Sequence, residues 1–373
     1  MFLIAYKNIL HDRLRMCAAL LGIIFAVVLV TFQCGLLSSC LTNASAIIDS
    51  AGAPIWITAP NVANFEFSGS LRESLYYQAK AVPGVGHVER LVMVFVRFRK
   101  PDGSSEGAQL IGLDLEGGTR LPPAFLVGSR EDLRDPEAIS VDSTDYRKLG
   151  CPPLGEYVEI TEKRARVTAI TKDVRSFIAS PFLFTRFENA HNYARNLQPG
   201  QSTYLLVTPA PGHGIEEVVE NLKRLQGVDV LTARGFARRS QEYWIFRTGA
   251  GFAIGLSTLL GLVVGIVIVG QTLYSSTMDR LKEFGTLKAL GAGNRHLYKV
   301  ITQQALIYAV AGYFLGILAS LVLSRIAETA GTQISITPLL LISMFFITAA
   351  MCVAASVLSI IRVTKLEPAM VFK

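Results

Sequence analysis

The residue types that most often do chemistry are sparse in this chain. Its five histidines lie singly, at positions 11, 87, 191, 213 and 296. The 373 residues contain no H-E-x-x-H pair and no G-x-x-x-x-G-K-[ST] phosphate loop. We therefore expect no catalytic residue, no metal ligand and no cofactor bound by this chain. Energy for any work that it does must come from elsewhere.

Pairs of glycines spaced four residues apart form a second kind of candidate site. They are Gly251 and Gly255, Gly261 and Gly265, and Gly312 and Gly316. Small residues at this spacing lie on one face of a helix and let a second helix approach closely inside a membrane. Glycine is also simply frequent in membrane helices, which is the plainer explanation. We expect these residues to lie where helices pack.

The segment 278–293, MDRLKEFGTLKALGAG, carries the densest pattern. Its apolar residues fall on one side of a helix and its charged residues on the other, and Gly291 and Gly293 are stop signals. Such a helix either lies along the membrane surface or presents its charges to a cytoplasmic subunit. We favour the docking role.

Four stretches without charge must position these residues. Residues 16–48, 248–278, 300–324 and 329–361 contain no Asp, Glu, Lys or Arg. Each is longer than the roughly 20 residues that cross a bilayer as a helix. Four such stretches argue against buried core helices of a soluble enzyme. The sequence predicts a membrane α-helical protein with four transmembrane helices, the third and fourth joined by a short external loop at 325–334 and the fourth spanning 335–361.

Charge predicts the orientation of these helices. The block 49–247 carries 24 acidic and 24 basic residues, so the formal net charge of +7 lies elsewhere. Positive charge is concentrated in residues 1–15, 279–299 and 362–373. Because Lys and Arg in short loops mark the cytoplasmic side, both termini are expected there, with the neutral block outside. The basic balance thus reflects topology, and we expect no nucleic-acid partner.

The external block 49–247 reads as a mixed α+β domain. Strand patterns and helix patterns alternate, which indicates two βαβ-like halves in one sheet, with an inserted lobe at 101–200 between them. The strands are predicted at 54–58, 88–99, 203–208 and 228–232, the helices at 70–82 and 214–226, and a hairpin at 156–170. Residues 36–50 and 236–250 lack strong breakers, so helices one and two are expected to continue outward as a stalk.

The segment RLKEFGTLKALGA at 280–292 resembles the link between the second and third membrane helices in permeases of the FtsX/MacB superfamily. The family pattern there is approximately R-x-x-E-[IF]-G-x-[LM]-[KR]-A-[LI]-G-A. AYKNIL at 5–10 is similar to the family's amphipathic N-terminal helix, and Leu366-Glu367-Pro368-Ala369 to its C-terminal tail. PFLFTRF and KLEPAMVF look most like DevC-type permeases, although Gln303-Gln304 stands where MacB-like members often carry an acidic residue.

This resemblance implies a fold, a mechanism and partners. The external domain would be of the MacB-like periplasmic core type, in a multi-pass protein of the inner (plasma) membrane. Two permease copies would pair, each docking an ABC ATPase that binds ATP and Mg. A periplasmic adaptor (membrane fusion) protein and a TolC-like outer-membrane channel would complete an exporter of lipids, peptides or drugs. The implied ATPase-docking residues of the coupling helix are Asp279, Arg280, Glu283, Phe284, Gly285, Leu287, Lys288, Ala289, Leu290 and Gly291.

Two other functions share this layout. One is an FtsX-like mechanotransmission regulator, whose external domain activates a cell-wall hydrolase without moving a substrate. The other is a lipoprotein-releasing permease. An external domain of about 200 residues is larger than an activator alone would need, so the sequence favours export.

Overall fold

The computed structural model describes residues 13–172, 174, 176, 180–279, 294–329 and 334–364. The chain divides into two compact units. One contains Met1–Ser39 and Ala250–Lys373, and the other contains Cys40–Gly249. The α-helices of the described residues are α1 (Arg13–Ala51), α2 (Glu73–Lys80), α3 (Phe187–Tyr193), α4 (Ile215–Leu222), α5 (Ala233–Glu242), α6 (Ala250–Asp279), α7 (Asn294–Thr329) and α8 (Pro338–Thr364).

Helices α1, α6, α7 and α8 confirm the prediction of four transmembrane helices. Within the described residues, four apolar segments are long enough to cross a membrane: Met16–Ala51, Ala250–Asp279, Tyr298–Glu328 and Pro338–Val357. Helix α8 begins at Pro338, three residues later than the predicted 335, because proline suits the first helical turn and the Thr337 hydroxyl accepts from the Leu340 N–H.

Helix α7 begins at Asn294, six residues before the predicted start of the third membrane helix at 300. Residues 294–299, which are mostly polar, continue the helical backbone before the apolar run begins. Hydrophobicity marks where a helix enters lipid, and helical geometry extends as far as the backbone hydrogen bonds allow. Residues 330–333, within the predicted external loop, lie outside the described residues.

The strands of the extracytoplasmic domain form one mixed sheet. They are β1 (Ile55–Thr58), β2 (Val85–Arg99), β3 (Ser105–Leu113), β4 (Phe125–Val127), β5 (Ala138–Asp142), β6 (Tyr157–Ile160), β7 (Lys163–Thr171), β8 (Phe182–Arg186), β9 (Tyr204–Pro209) and β10 (Asp229–Thr232). The order is β10-β1-β9-β2-β3-β8-β5-β7-β4, and β6 pairs with β2 and β7.

The first four strands in that order, β10-β1-β9-β2, are all antiparallel to their neighbours. Helix α2 connects β1 to β2, and α4 connects β9 to β10, so each half is a βαβ unit with a strand of the other half inserted between its own. The two predicted βαβ-like halves in one sheet are therefore confirmed.

Strand β2 joins two hydrophobic cores. Leu91 and Met93 belong to the core under the βαβ halves, whereas Val96 and Phe98 belong to a second core formed with β3, β5, β7 and β8. Residues 101–200 mostly continue the same sheet, since β3 pairs with β2 over nine residues. The predicted hairpin is β6–β7, which turns at Thr161 and Glu162 with φ of 50° and 66°.

The predicted uninterrupted helix over 236–250 is wrong, whereas α1 does continue through Ala51. Helix α5 ends at Glu242, Tyr243–Arg247 form a π-helical turn, and Gly249 has φ of 76° before α6 begins at Ala250. Glycine adopts such a left-handed conformation without steric cost. The second membrane helix accordingly starts two residues after the predicted 248.

Candidate functional site

The predicted coupling helix lies almost wholly outside the described residues. Asp279 is the last residue of α6. The other nine predicted docking residues, from Arg280 to Gly291, fall in the range 280–293. Residues 1–12 and 365–373, which hold the N-terminal and C-terminal motifs, also lie outside the described part of the chain. The ATPase-docking role of this segment stays a prediction.

Four of the six predicted packing glycines lie against α1. A methyl group added at Gly261 would stand 2.6 Å from Leu29 Cδ2, and one at Gly265 would stand 2.8 Å from Ala26 Cβ. The remaining pair, on α7, meets β-branched side chains of α1: Gly312 faces Ile23, and a methyl group at Gly316 would stand 2.7 Å from Val27 Cβ. Helix α1 thus packs against the glycine faces of both α6 and α7.

The other predicted pair occupies the first part of α6. Gly251 is half-exposed, and a methyl group at Gly255 would meet no described heavy atom within 4 Å. Nearby apolar side chains of α6 are also exposed, among them Phe252 at 76% and Leu259 at 57%. Part of α6 is therefore available to lipid or to another polypeptide.

The end of α1 is fastened to the domain by a loop that follows β3. The Ala51 carbonyl accepts the Arg120 N–H at 2.9 Å and the Thr119 hydroxyl at 3.2 Å. The buried Glu89 carboxylate accepts the N–H groups of Gly118 and Thr119 at 2.6 and 3.0 Å. Carbonyl groups at a helix C-terminus lack partners within the helix. This loop supplies them, and we call it the α1 joint.

Arg130 holds the same loop from within. Its guanidinium donates to the carbonyl groups of Asp114, Leu115, Thr119 and Leu121, at 2.6 to 3.1 Å. Burial lowers the pKa of Arg130, and the nearby Glu89 and Asp114 carboxylates oppose that shift. Four carbonyl acceptors on one rigid fork fix the loop geometry. Arg130 therefore fixes the loop whose Thr119 and Arg120 bind the Ala51 carbonyl.

A second joint lies where the chain leaves the domain toward α6. The Trp244 indole, in the π-helical turn, donates to the Glu66 carboxylate at 3.1 Å. The Ser176 hydroxyl also donates to Glu66 at 3.1 Å and accepts from the Gln109 amide at 2.7 Å. Glu66 is only 3% exposed. We call this set of residues, Glu66, Gln109, Ser176 and Trp244, the Trp244 joint.

Aromatic packing reinforces the Trp244 joint. The Phe67 ring lies 6.0 Å from Tyr243 and 6.2 Å from Trp244, centroid to centroid. The Phe65 N–H donates to the Ser240 hydroxyl at 3.1 Å, and the Phe65 carbonyl accepts from the Tyr204 hydroxyl at 2.7 Å. Complete burial raises the pKa of Tyr204 well above its usual value, and the Glu66 charge adds to that shift. The segment 65–67 therefore packs directly on the exit segment.

Neither joint is evident from the sequence. Glu66 and Trp244 are 178 positions apart, and Ala51 and Thr119 are 68 apart. One signal was present: Glu66 is a single acid between two phenylalanines, a setting in which a carboxylate needs a specific donor.

These observations define a class of protein. Four membrane-spanning helices carry a large extracytoplasmic domain between the first and second spans, and the first and last segments of that domain are hydrogen-bonded to its interior. The MacB-like periplasmic core domain model matches residues 16–225, and the FtsX-like permease C-terminal model matches residues 255–368. The chain belongs to the FtsX/MacB family of ABC transporter permeases, as the resemblance implied.

Relatives extend this assignment along the whole chain. An uncharacterized ABC transporter permease of Mycobacterium tuberculosis (strain ATCC 25618 / H37Rv) is 24% identical over 359 residues, covering 94% of this chain and 93% of the relative. Another, from Mycobacterium bovis, is 22% identical over 377 residues, covering 100% and 99%. The solved periplasmic region of MacB from Actinobacillus actinomycetemcomitans has a TM-score of 0.38 and 13% identity, covering 51% of this chain and 94% of that structure. The DevC-like assignment stays a prediction.

Proposed function

We propose that this chain is the permease subunit of an ABC-type exporter that converts ATP hydrolysis on a separate ATPase into movement of the extracytoplasmic domain. Membership of the ABC permease family implies an ATPase partner and a second permease copy. The 373 residues themselves contain no P-loop motif. ATP and Mg would accordingly bind to the partner, at a subunit docked on the 279–291 segment.

The observation that carries this proposal is the pair of joints that fasten the domain to its two flanking segments. Helix α1 is continuous from Arg13 to Ala51, where the α1 joint holds its last carbonyl. The exit segment is held by the Trp244 joint immediately before α6. A displacement of either helix would thus reach the sheet through hydrogen bonds and packed rings, without a channel through the bilayer.

We propose that this movement of the external domain drives export of a substrate. Both termini and the 279–299 segment would be cytoplasmic, and the domain would act on a lipid, peptide or drug-like substrate outside the inner membrane. An adaptor protein and an outer-membrane channel would carry that substrate onward. The domain also contains an open cleft of about 790 Å³, a volume that suits a small molecule and that a pure activator would not need.

Co-purification tests the ATPase partnership. The full chain is co-expressed with its candidate ATPase as wild type, as Glu283→Lys and as Gly285→Trp, and complex yield and ATPase stimulation are measured. Both variants should lose the complex, because one reverses a docking charge and the other fills the space of a glycine. Glu116→Lys, the same charge reversal at an exposed position of the external domain, should keep it. Survival of the complex in both docking variants would refute the coupling-helix assignment.

A further inference from the structure

The cleft belongs to the extracytoplasmic domain and lies beside the C-terminal half of β2, residues 93–97. Its walls include Phe67 and Ser68 from the segment after β1, Phe95 and Arg97 from β2, and Gly107 from β3. Its volume of about 790 Å³ falls within the range of roughly 300 to 1,000 Å³ that is typical of small-molecule sites. The cleft can therefore hold a molecule of drug size.

Two exposed aromatic rings give the cleft an apolar surface. Phe67 is 52% exposed and Phe95 is 50% exposed, although the neighbouring strand residues Met93 and Val96 are buried. Large aromatic side chains on a sheet normally bury their faces against a neighbour. Here both rings border the same cleft, so an apolar ligand would remove both from water at once.

A guanidinium group supplies charge next to these rings. Arg97 follows Phe95 by two positions, so both side chains point to the same face of β2. Among the residues that the structure describes, no acidic group pairs with Arg97. The other ionisable side chains that line the cleft have partners: Arg195 pairs with Glu162 at 2.8 Å, Glu106 pairs with Lys100 at 3.5 Å, and the Glu66 carboxylate accepts from Trp244 and Ser176, each at 3.1 Å. Arg97 is thus left to bind an anion.

A glycine keeps the space beside Arg97 open. Gly107 is opposite Arg97 in the β2–β3 register, and a methyl group there would meet no described heavy atom within 4 Å. A larger side chain at this position would extend into that open space beside the cleft. The register thus combines a cation with room for the group that it binds.

We propose that this cleft binds an amphipathic anion of drug size. Its apolar body would lie on Phe67 and Phe95, and its carboxylate or phosphate would bind the Arg97 guanidinium, which suits both groups. The inference rests on the proposed function, for it names the chemical class of the exporter's substrate. Because the Phe67 ring packs on Trp244, a ligand bound in the cleft would also change the surroundings of the Trp244 indole.

Titration of the full chain in phosphatidylcholine nanodiscs, without ATPase, tests this site. The probes are 4-phenylbutyl phosphate and its neutral counterpart 4-phenylbutanol, with empty nanodiscs as the blank, and binding is measured by calorimetry. The phosphate should bind at least about tenfold more tightly than the alcohol, as expected for a charge-assisted contact. Binding should also change the Trp244 fluorescence, and Trp244→Phe should remove that signal.

Matched variants separate the contributions. Arg97→Gln should abolish the preference for the phosphate, whereas Arg99→Gln, on the same strand but already paired with Glu159 at 3.0 Å, should retain it. Phe95→Ser and Gly107→Leu should weaken both probes. Equal binding of the two probes by the wild type, or full phosphate preference in Arg97→Gln, would overturn the proposal.

The outcomes are distinct from those of the proposed function. No selective binding together with intact ATPase docking would remove the cleft assignment alone. Selective binding without ATPase docking would instead remove the proposed function. If the cleft variants bind both probes as the wild type does but lose a co-purified adaptor protein, the cleft is an adaptor surface and the small-molecule proposal is wrong.

Discussion

Glu66 is the residue that ties the domain to its exit segment. Its carboxylate is buried, and its bond from the Trp244 indole crosses 178 positions of sequence. A buried carboxylate without donors would be strongly unfavourable. The bond therefore fixes the position of the π-helical turn as well as satisfying the charge.

Trp244→Phe removes the indole donor and keeps most of the ring. We expect the domain to lose about 1–3 kcal/mol of unfolding free energy, because the Glu66 carboxylate loses a hydrogen-bond partner while staying buried. Chemical denaturation of the full chain, followed by near-ultraviolet circular dichroism, measures this loss. In a Glu66→Gln background the same substitution should cost less, since the acceptor is neutral. An equal cost in both backgrounds would show that the bond does not matter.

Tyr193 contributes to the alkaline response of the domain. Burial, assisted by the Glu137 charge, raises the pKa of Tyr193 from its ordinary value of 10 to about 12. As pH rises through this window the unfolded chain releases the phenol proton first, so stability is full below about pH 10 and falls toward pH 12.

Thermal unfolding at a series of pH values tests that response. Tyr193→Phe should make the decline between about pH 10 and 12 shallower, although it also loses the bond to the Arg164 carbonyl at 3.0 Å. Tyr77→Phe, which removes the same hydroxyl group at a position that is 60% exposed, is the matched control. An unchanged slope in Tyr193→Phe would contradict the assignment.

At the scale of elements, the glycine faces of α6 and α7 decide how closely α1 can pack. Gly316→Val should destabilise the membrane unit by about 1–3 kcal/mol, because the new side chain meets the β-branched Val27, which has little freedom to move aside. Thermal unfolding in detergent measures the effect. Gly255→Val is the matched control, since the space there is open. Equal melting temperatures for Gly316→Val and the wild type would refute this packing.

The Gly255→Val variant also tests whether a second permease copy packs against α6. If a partner covers Gly255, then Gly255→Val should weaken the dimer while leaving the protomer's own melting temperature unchanged. Light scattering of the purified protein reads the dimer fraction. A wild-type dimer fraction in Gly255→Val would place the interface on another part of the chain.

Elements with strong local signals were predictable from the sequence. The apolar runs predicted four spans, and strand patterns such as 88–99 predicted β2 because β-branched and aromatic residues favour strands. The joint before α6 was not predictable, because the π turn depends on the distant Glu66 and the break depends on the φ of Gly249. Helix starts also differed where polar residues continued a helix beyond its apolar part, as at Asn294.

At the scale of the whole molecule, the proposed function is the transmission of movement from the membrane helices to the external domain. Family membership gives the layout, and the hydrogen bonds at Ala51 and Trp244 hold the first and last segments of the external domain to the rest of that domain. The candidate ligand cleft shares Phe67 with the second of these joints. Movement of the helices and occupancy of the cleft would therefore act on the same part of the sheet.

The most direct test is a distance measured between the domains of two paired permeases during ATP turnover. Cys151 is an exposed free cysteine of the external domain. With the four other cysteines replaced, it takes one spin label per copy. In the reconstituted complex, pulsed electron paramagnetic resonance should show that the distance between the two spin labels changes when ATP and Mg are added. Gly285→Trp should abolish the shift. An unchanged distance while the ATPase turns over would contradict transmission to this domain.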